Sequence, residues 1–158
     1  MTINIIVAMT KGRVIGKDNS LPWDILEEKK LFRELTKNKA VVMGKNTWLS
    51  IPQKHRPLSD RINVIVSRTL PEQRGAIVCK SVEEAVGRAN RLGKEVYCIG
   101  GAQIYAAMLP MTQFLHISWI KKTYEGDAYF PDINFNDWQE QGTRDFAEFT
   151  YKRYTRKL

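Results

Sequence analysis

The chain has 158 residues and a formal charge of +8, a length that suits one domain (1–158) burying about two-thirds of the surface its unfolded form exposes. No run of eighteen or so apolar residues is present, and Met1-Thr2-Ile3-Asn4-Ile5-Ile6-Val7 lacks a basic leader and a small-residue cleavage site, so neither a spanning helix nor secretion is expected and a cytoplasmic location is. The positive charge favours an anionic partner, but the clusters Lys29-Lys30, Lys37-x-Lys39, Lys121-Lys122 and Lys152-Arg153 are short, scattered and free of interleaved aromatics, unlike a nucleic-acid surface.

In chain order, Ile3–Met9 reads as a buried strand. The polar segment 12–23 follows, with glycines at 12 and 16 and an apolar Leu21-Pro22-Trp23 end; its length suits a lid whose Leu21 and Trp23 cover whatever the next helix presents. That helix is predicted over Ile25–Leu35, opened by an Asp24-x-x-Glu27 capping box. Ile25, Leu31, Phe32 and Leu35 form its inward stripe, and Glu28 falls on that stripe. A carboxyl group among apolar side chains is costly unless protonated, paired or bound to a ligand, and such groups are enriched in active sites. A rotated helix that leaves Glu28 in water is the alternative at this point.

Further strands are predicted at Ala40–Met43, Arg61–Ser67, Ala76–Cys79, Val96–Ile99 and Phe114–Ile120. Helices are predicted at Thr47–Ile51, Val82–Leu92 and Ala102–Leu109, the second of these opened by Ser81-x-x-Glu84. Pro110 ends the alternation; a turn at Gly126-Asp127 and the alternating tail Phe149-x-Tyr151-x-Arg153 extend the sheet antiparallel. The expected fold is α/β: a doubly wound, mostly parallel central sheet with antiparallel C-terminal strands and helices on both faces. Cys79 and Cys98 are expected as buried free thiols, and His55 and His116 are too few and too far apart for a metal site, with His116 a satisfied structural histidine of a strand.

Two strand-to-helix junctions offer free backbone N–H groups to an anion. Val41-Val42-Met43 runs into Gly44-Lys45-Asn46-Thr47, and Val96-Tyr97-Cys98-Ile99 into Gly100-Gly101-Ala102. Neither is a standard fingerprint, but at the carboxyl ends of two strands in a doubly wound sheet they suit an extended diphosphate. Lys45, Arg68 and Lys80 follow successive strands where an acid would grip a free 2′-hydroxyl, so a 2′-phosphate, and hence NADP rather than NAD, is favoured.

These pieces together resemble the dihydrofolate reductases. The matching segments are Val14-Ile15-Gly16-Lys17-Asp18-Asn19-Ser20-Leu21-Pro22-Trp23; Glu28 with Phe32; Val42-Met43-Gly44-Lys45-Asn46-Thr47-Trp48-x-Ser50-Ile51; Arg56-Pro57-Leu58-x-x-Arg61-x-Asn63; Ile99-Gly100-Gly101-Ala102-x-Ile104-Tyr105; and Glu125-Gly126-Asp127-x-x-Phe130-Pro131. The resemblance implies NADPH-dependent reduction of 7,8-dihydrofolate, binding of antifolates, and a monomer. It implies that Glu28 holds the pterin and assists its protonation, that Ile6, Ala8, Phe32, Ile51 and Leu58 line the pterin and aminobenzoate slot, and that Arg61 clamps the tail carboxylate with help from Arg56. It places Ser118 in hydrogen-bonded connection with Glu28, and Tyr105 beside the nicotinamide. Cofactor contacts are implied for Ala8, for Ile15, Gly16, Lys17, Asp18, Asn19 and Ser20, for Gly44, Lys45, Asn46 and Thr47, for Ser67, Arg68 and Lys80, and for Ile99, Gly100, Gly101, Ala102, Gln103, Ile104 and Tyr105. Departures from the family pattern are Glu28 where many bacterial members carry Asp, the longer Pro52-Gln53-Lys54-His55 loop, Ser59-Asp60 in place of a turn ending in glycine, and Ser118 in place of threonine.

Overall fold

The structure, a computed structural model, describes residues 2–158. An eight-stranded sheet forms its centre. The strands are β1 (Ile3–Met9), β3 (Ala40–Gly44), β4 (Ile62–Val66), β5 (Ala76–Cys79), β6 (Val96–Gly100), β7 (Phe114–Ile120), β9 (Trp138–Asp145) and β10 (Phe149–Arg156). Their order across the sheet is β5-β4-β3-β6-β1-β7-β10-β9. The five pairings from β5 to β7 are parallel and the last two antiparallel, as a doubly wound core with an antiparallel extension requires. All five residues of β3 are buried, which is why its sequence is a continuous apolar run.

The helices are α1 (Leu26–Thr36), α2 (Lys45–Ser50), α3 (Val82–Arg91) and α4 (Ala102–Met108). Alternate residues of the strands supply two cores. Ile5, Val7, Val42 and Cys98 pack with Ala85, Ala89 and Met108 of α3 and α4. On the opposite face Ile6, Val41, Met43 and Tyr97 pack with Trp48 of α2 and Phe32 and Leu35 of α1.

Several local expectations are corrected. Ile25, not Asp24, is the N-cap of α1, and no side chain caps that helix; Asp24 instead pairs with Lys29 one turn in. Ser81 does cap α3, accepting from Glu84 N–H at 3.1 Å, but the Glu84 carboxylate reaches back to Lys80 N–H at 2.6 Å rather than to Ser81. Gly126-Asp127 is not a turn of the large sheet. It leads into β8 (Ala128–Tyr129), which pairs with β2 (Val14–Gly16) inside the segment read as a loop. The antiparallel hairpin of the C-terminus is β9–β10, and β9 has only Trp138 buried.

Cys79 and Cys98 are buried and free. His116 is satisfied on both ring nitrogens, by the Tyr151 hydroxyl at 2.7 Å and by Asn4 Oδ1 at 3.0 Å.

Candidate active site

In the order β3-β6-β1, the chain winds away from the centre on either side of β6, and the crevice beyond the carboxyl ends of such strands is where ligands bind in open α/β sheets. A cleft of about 880 Å³ lies there. Its inner wall is Ile6, Val7 and Ala8 of β1 with Ile99 at the end of β6. Phe32, Ile51 and Leu58 close one arm, and Gly44, Lys45, Asn46, Thr47, Ser67, Arg68 and Lys80 line the other with Gly101, Ala102, Gln103, Ile104 and Tyr105. Ile15, Gly16, Lys17, Asn19, Ser20 and Leu21 border it from the lid.

Glu28 is set in this wall and is 9 % exposed. It occupies the first turn of α1 because the Ile25–Leu31 stripe turns that face inward against Trp23, Ile120 and Phe149. A helix N-terminus favours the ionised form of an acid there, and burial opposes it. Burial wins. The pKa is raised from 4.5 to about 7, chiefly by desolvation, with the Lys29 ammonium pulling the other way.

Tyr105 is buried and donates to the Ile6 carbonyl at 2.8 Å, and its phenol is held well above its ordinary pKa, by burial first. Its position depends on Gly100. That residue has φ +105°, and a Cβ there would lie 2.8 Å from Tyr105 Cε2, so any side chain would force the ring aside. Gly100 itself lies behind the cleft wall rather than on it.

The lid is pinned by residues that spacing alone does not reveal. Lys17 and Ser20 exchange backbone hydrogen bonds of 2.8 and 3.0 Å around Asp18 (φ 51°) and Asn19 (φ 62°), the pattern of a tight hairpin with two left-handed residues. The Asp127 carboxylate accepts from Asp18 N–H at 3.1 Å, and its own N–H donates to the Gly16 carbonyl at 3.0 Å. Gly126 makes this close approach possible, since a Cβ on it would strike the Gly16 carbonyl. Asp127 and Ala128 also border the cleft. We expect Asp127→Ala to release the hairpin, seen as roughly tenfold faster hydrogen exchange at the Asp18 amide with global stability changed by less than about 1 kcal/mol.

Besides Gly100, five expected site residues stand off the cleft wall. Trp23 is buried against Tyr124, ring centroids 5.5 Å apart and edge-on, and anchors the lid's base instead of lining the cleft. Asp18 faces solvent. Ser118 is buried beside Ala8 and Tyr151 in the sheet, with no direct hydrogen bond to Glu28. Arg56 stacks over the Trp48 ring at 5.6 Å, away from the cleft wall. Arg61 lies three residues past Leu58, outside that wall, and borders a second open hollow of about 670 Å³ with residues 72–77. It is nonetheless fixed in place. Its Nε donates to the Ser59 carbonyl at 2.8 Å and Nη1 to Thr36 Oγ1 at 3.1 Å, with Nη2 uncommitted. Burial and the neighbouring Arg33 cation lower its pKa. Asp60, in the Ser59-Asp60 departure, adopts φ 60°, the conformation that favours glycine, and its carboxylate holds Arg33 at 2.8 Å.

The chain superposes on a solved dihydrofolate reductase from Enterococcus faecalis complexed with NADP(H) and RAB-propyl, with a TM-score of 0.88 and 28 % identity over 98 % of this chain and 96 % of that one. Fold and cleft together are those of an NADP-dependent oxidoreductase. The sequence profile described as dihydrofolate reductase matches residues 2–157. The dihydrofolate reductase of Haemophilus influenzae is 38 % identical over 88 % of this chain and 84 % of its own length, and that of Gallus gallus 37 % identical over 87 % and 82 %. The chain belongs to the dihydrofolate reductase family.

Proposed function

We propose that the cleft reduces 7,8-dihydrofolate to tetrahydrofolate, with the pterin against Glu28 and the dinucleotide in the opposite arm. The observation that carries the reading is Glu28, a buried carboxyl whose pKa is moved to about 7, set in the cleft wall with Ile6, Ala8 and Phe32. Bound NADPH supplies the hydride, from nicotinamide C4 to pterin C6.

The donor set in the other arm fits that cofactor. Lys45 reaches Thr69 at 3.3 Å, and with Arg68 and Lys80, all exposed and on the cleft wall, it gives three cations for a 2′-phosphate. Gly44 and Gly101 carry no side chain into the path of a diphosphate, and the first N–H groups of α4 have no intrahelical partner. Tyr105 and Ala8 hold the cofactor ring at the inner wall.

Glu28 binds the pterin through its 2-amino group and ring N3–H, both donors, and near neutral pH it shuttles a proton toward N5 through water. Phe32, Ile51 and Leu58 grip the aminobenzoate, and Leu21 screens the reacting atoms from solvent. Arg61 takes the tail's α-carboxylate on its free Nη2 edge. An antifolate that imitates the pterin occupies the same slot. As the family resemblance implies, the enzyme is monomeric and cytoplasmic.

The test is oxidation of NADPH on addition of dihydrofolate. Arg61→Lys should raise KM for dihydrofolate by roughly 10- to 100-fold with kcat changed little, because an ammonium cannot reproduce a braced guanidinium fork. A KM unchanged in that variant would remove Arg61 from the substrate site.

A further inference from the structure

Ser50 borders the cleft and has no part in the roles above. It is the last residue of α2, whose first residues Lys45, Asn46 and Thr47 line the dinucleotide arm and whose next neighbour, Ile51, lines the arm closed by Phe32. Ser50 therefore stands on the border between the two arms. The reacting atoms meet at that border, and C6 of the pterin sends its C9–N10 linker from there toward the aminobenzoate. The Ser50 hydroxyl is also fixed in direction. It donates to the Thr47 carbonyl at 2.6 Å, which uses its one hydrogen, so toward a further partner its oxygen can only accept. A serine late in a helix bonds back to such a carbonyl without any ligand; what sets Ser50 apart is its place in the wall. Side-chain acceptors are otherwise scarce there. Glu28 is taken by the two pterin donors, Lys29 has donors only, and Ile6, Phe32, Ile51 and Leu58 have neither. The linker brings one donor to this stretch, the N–H of N10.

We propose that Ser50 is a specificity-determining residue of the cleft: its oxygen accepts a hydrogen bond from the N10–H of dihydrofolate, so the site prefers a secondary amine in the linker to an alkylated one. The proposal rests on the reading that the pterin sits at Glu28 with the aminobenzoate between Phe32 and Leu58. Because Thr47 already orients the hydroxyl, accepting from N10 orders no further rotor. An alkyl group on N10 removes the donor and leaves the Ser50 oxygen facing carbon, stripped of the water it had in the open cleft.

The experiment compares wild type, Ser50→Ala and Phe32→Ala in steady-state oxidation of NADPH, with 7,8-dihydrofolate and with its N10-methyl derivative. Ser50→Ala should raise KM for dihydrofolate about fivefold, the worth of one hydrogen bond between neutral groups. It should not raise KM for the N10-methyl substrate, which has no hydrogen there to lose. Folate and 10-methylfolate, titrated against tryptophan fluorescence without turnover, should show the same pattern in Kd. Any steric cost of the methyl group is met by both enzymes and drops out of the comparison. A rise of equal size for both substrates would mean that Ser50 acts only through the end of α2, and would overturn the proposal, as would an unchanged KM for dihydrofolate in Ser50→Ala. Phe32→Ala should raise KM for both substrates by roughly tenfold or more, from lost apolar contact. If it does so while Ser50→Ala moves neither, the slot stands and only Ser50's part falls. If neither variant moves either KM, the slot itself is wrongly placed.

Discussion

Glu28→Gln is expected to lower kcat/KM for dihydrofolate by about 10²- to 10⁴-fold at pH 7, the range of a lost acid–base group. Glutamine keeps the size and the buried position, so the cleft is preserved, but two things go. A carboxylate accepts from both pterin donors, whereas an amide offers one acceptor and one donor and must leave a pterin N–H facing another. The amide also has no proton to exchange. In the wild type the acid is about half protonated at neutral pH, since burial in the Ile6, Ala8 and Phe32 wall lifts its pKa to about 7. The wild-type kcat/KM should therefore fall as pH rises through about 7, by up to tenfold per unit. The variant's deficit should narrow on the acid side, where solvent protonates the substrate without help. A variant with normal turnover at neutral pH would show that Glu28 neither holds the pterin nor moves its proton.

The acid was only partly legible in the sequence: a stripe of Ile25, Leu31, Phe32 and Leu35 on a period of 3.6 put Glu28 out of place but left a rotated, solvent-facing helix open, and it was the family resemblance that gave the acid a ligand. The stripe could not say how the burial would act on the proton. That is set by residues remote in sequence, Ile6 and Ala8 from β1 and Phe149 beneath the helix. The central parallel strands were legible, because β3 is buried throughout and its sequence says so. Strand β9 was not, because it is an edge strand with solvent on both faces and seven of its eight residues exposed, so no alternation was imposed on it. Arg56 shows another limit. The family resemblance implies that it assists Arg61, yet Trp48, eight residues earlier, offers its ring and takes the guanidinium. The Asp127 lock joins segments 109 residues apart, and no local pattern records such a partner.

The same proton makes Glu28 a source of instability that a second buried group conceals. Its pKa is about 7 folded against 4.5 for the free side chain. Between those values the folded state binds more protons, so stability falls as pH rises, by about 3 kcal/mol in all. His116 does the reverse. Burial first, and then the Arg153 cation, lower its pKa from 6.5 to about 4. Between pH 4 and 6.5 the unfolded chain binds more protons, and stability rises with pH by a similar amount, about 3 kcal/mol. The two slopes oppose one another from about pH 4.5 to 6.5, and the wild type should be nearly flat there as far as these groups are concerned.

Each single variant should uncover the other slope. Glu28→Gln should grow more stable relative to wild type by about 3 kcal/mol between pH 4.5 and pH 8, and His116→Gln should lose stability steadily as pH rises from about 4.5 to 7. Any pH-independent cost of the new amide cancels in these differences. Urea unfolding followed by tryptophan fluorescence across the pH range, at constant m, gives both quantities. Parallel wild-type and Glu28→Gln curves would mean that Glu28 titrates alike in the folded and unfolded chain, and its value as a proton donor at neutral pH would fall with them. If the curves diverge as expected, the acid is held ready for chemistry at the expense of the fold, a trade expected of active sites.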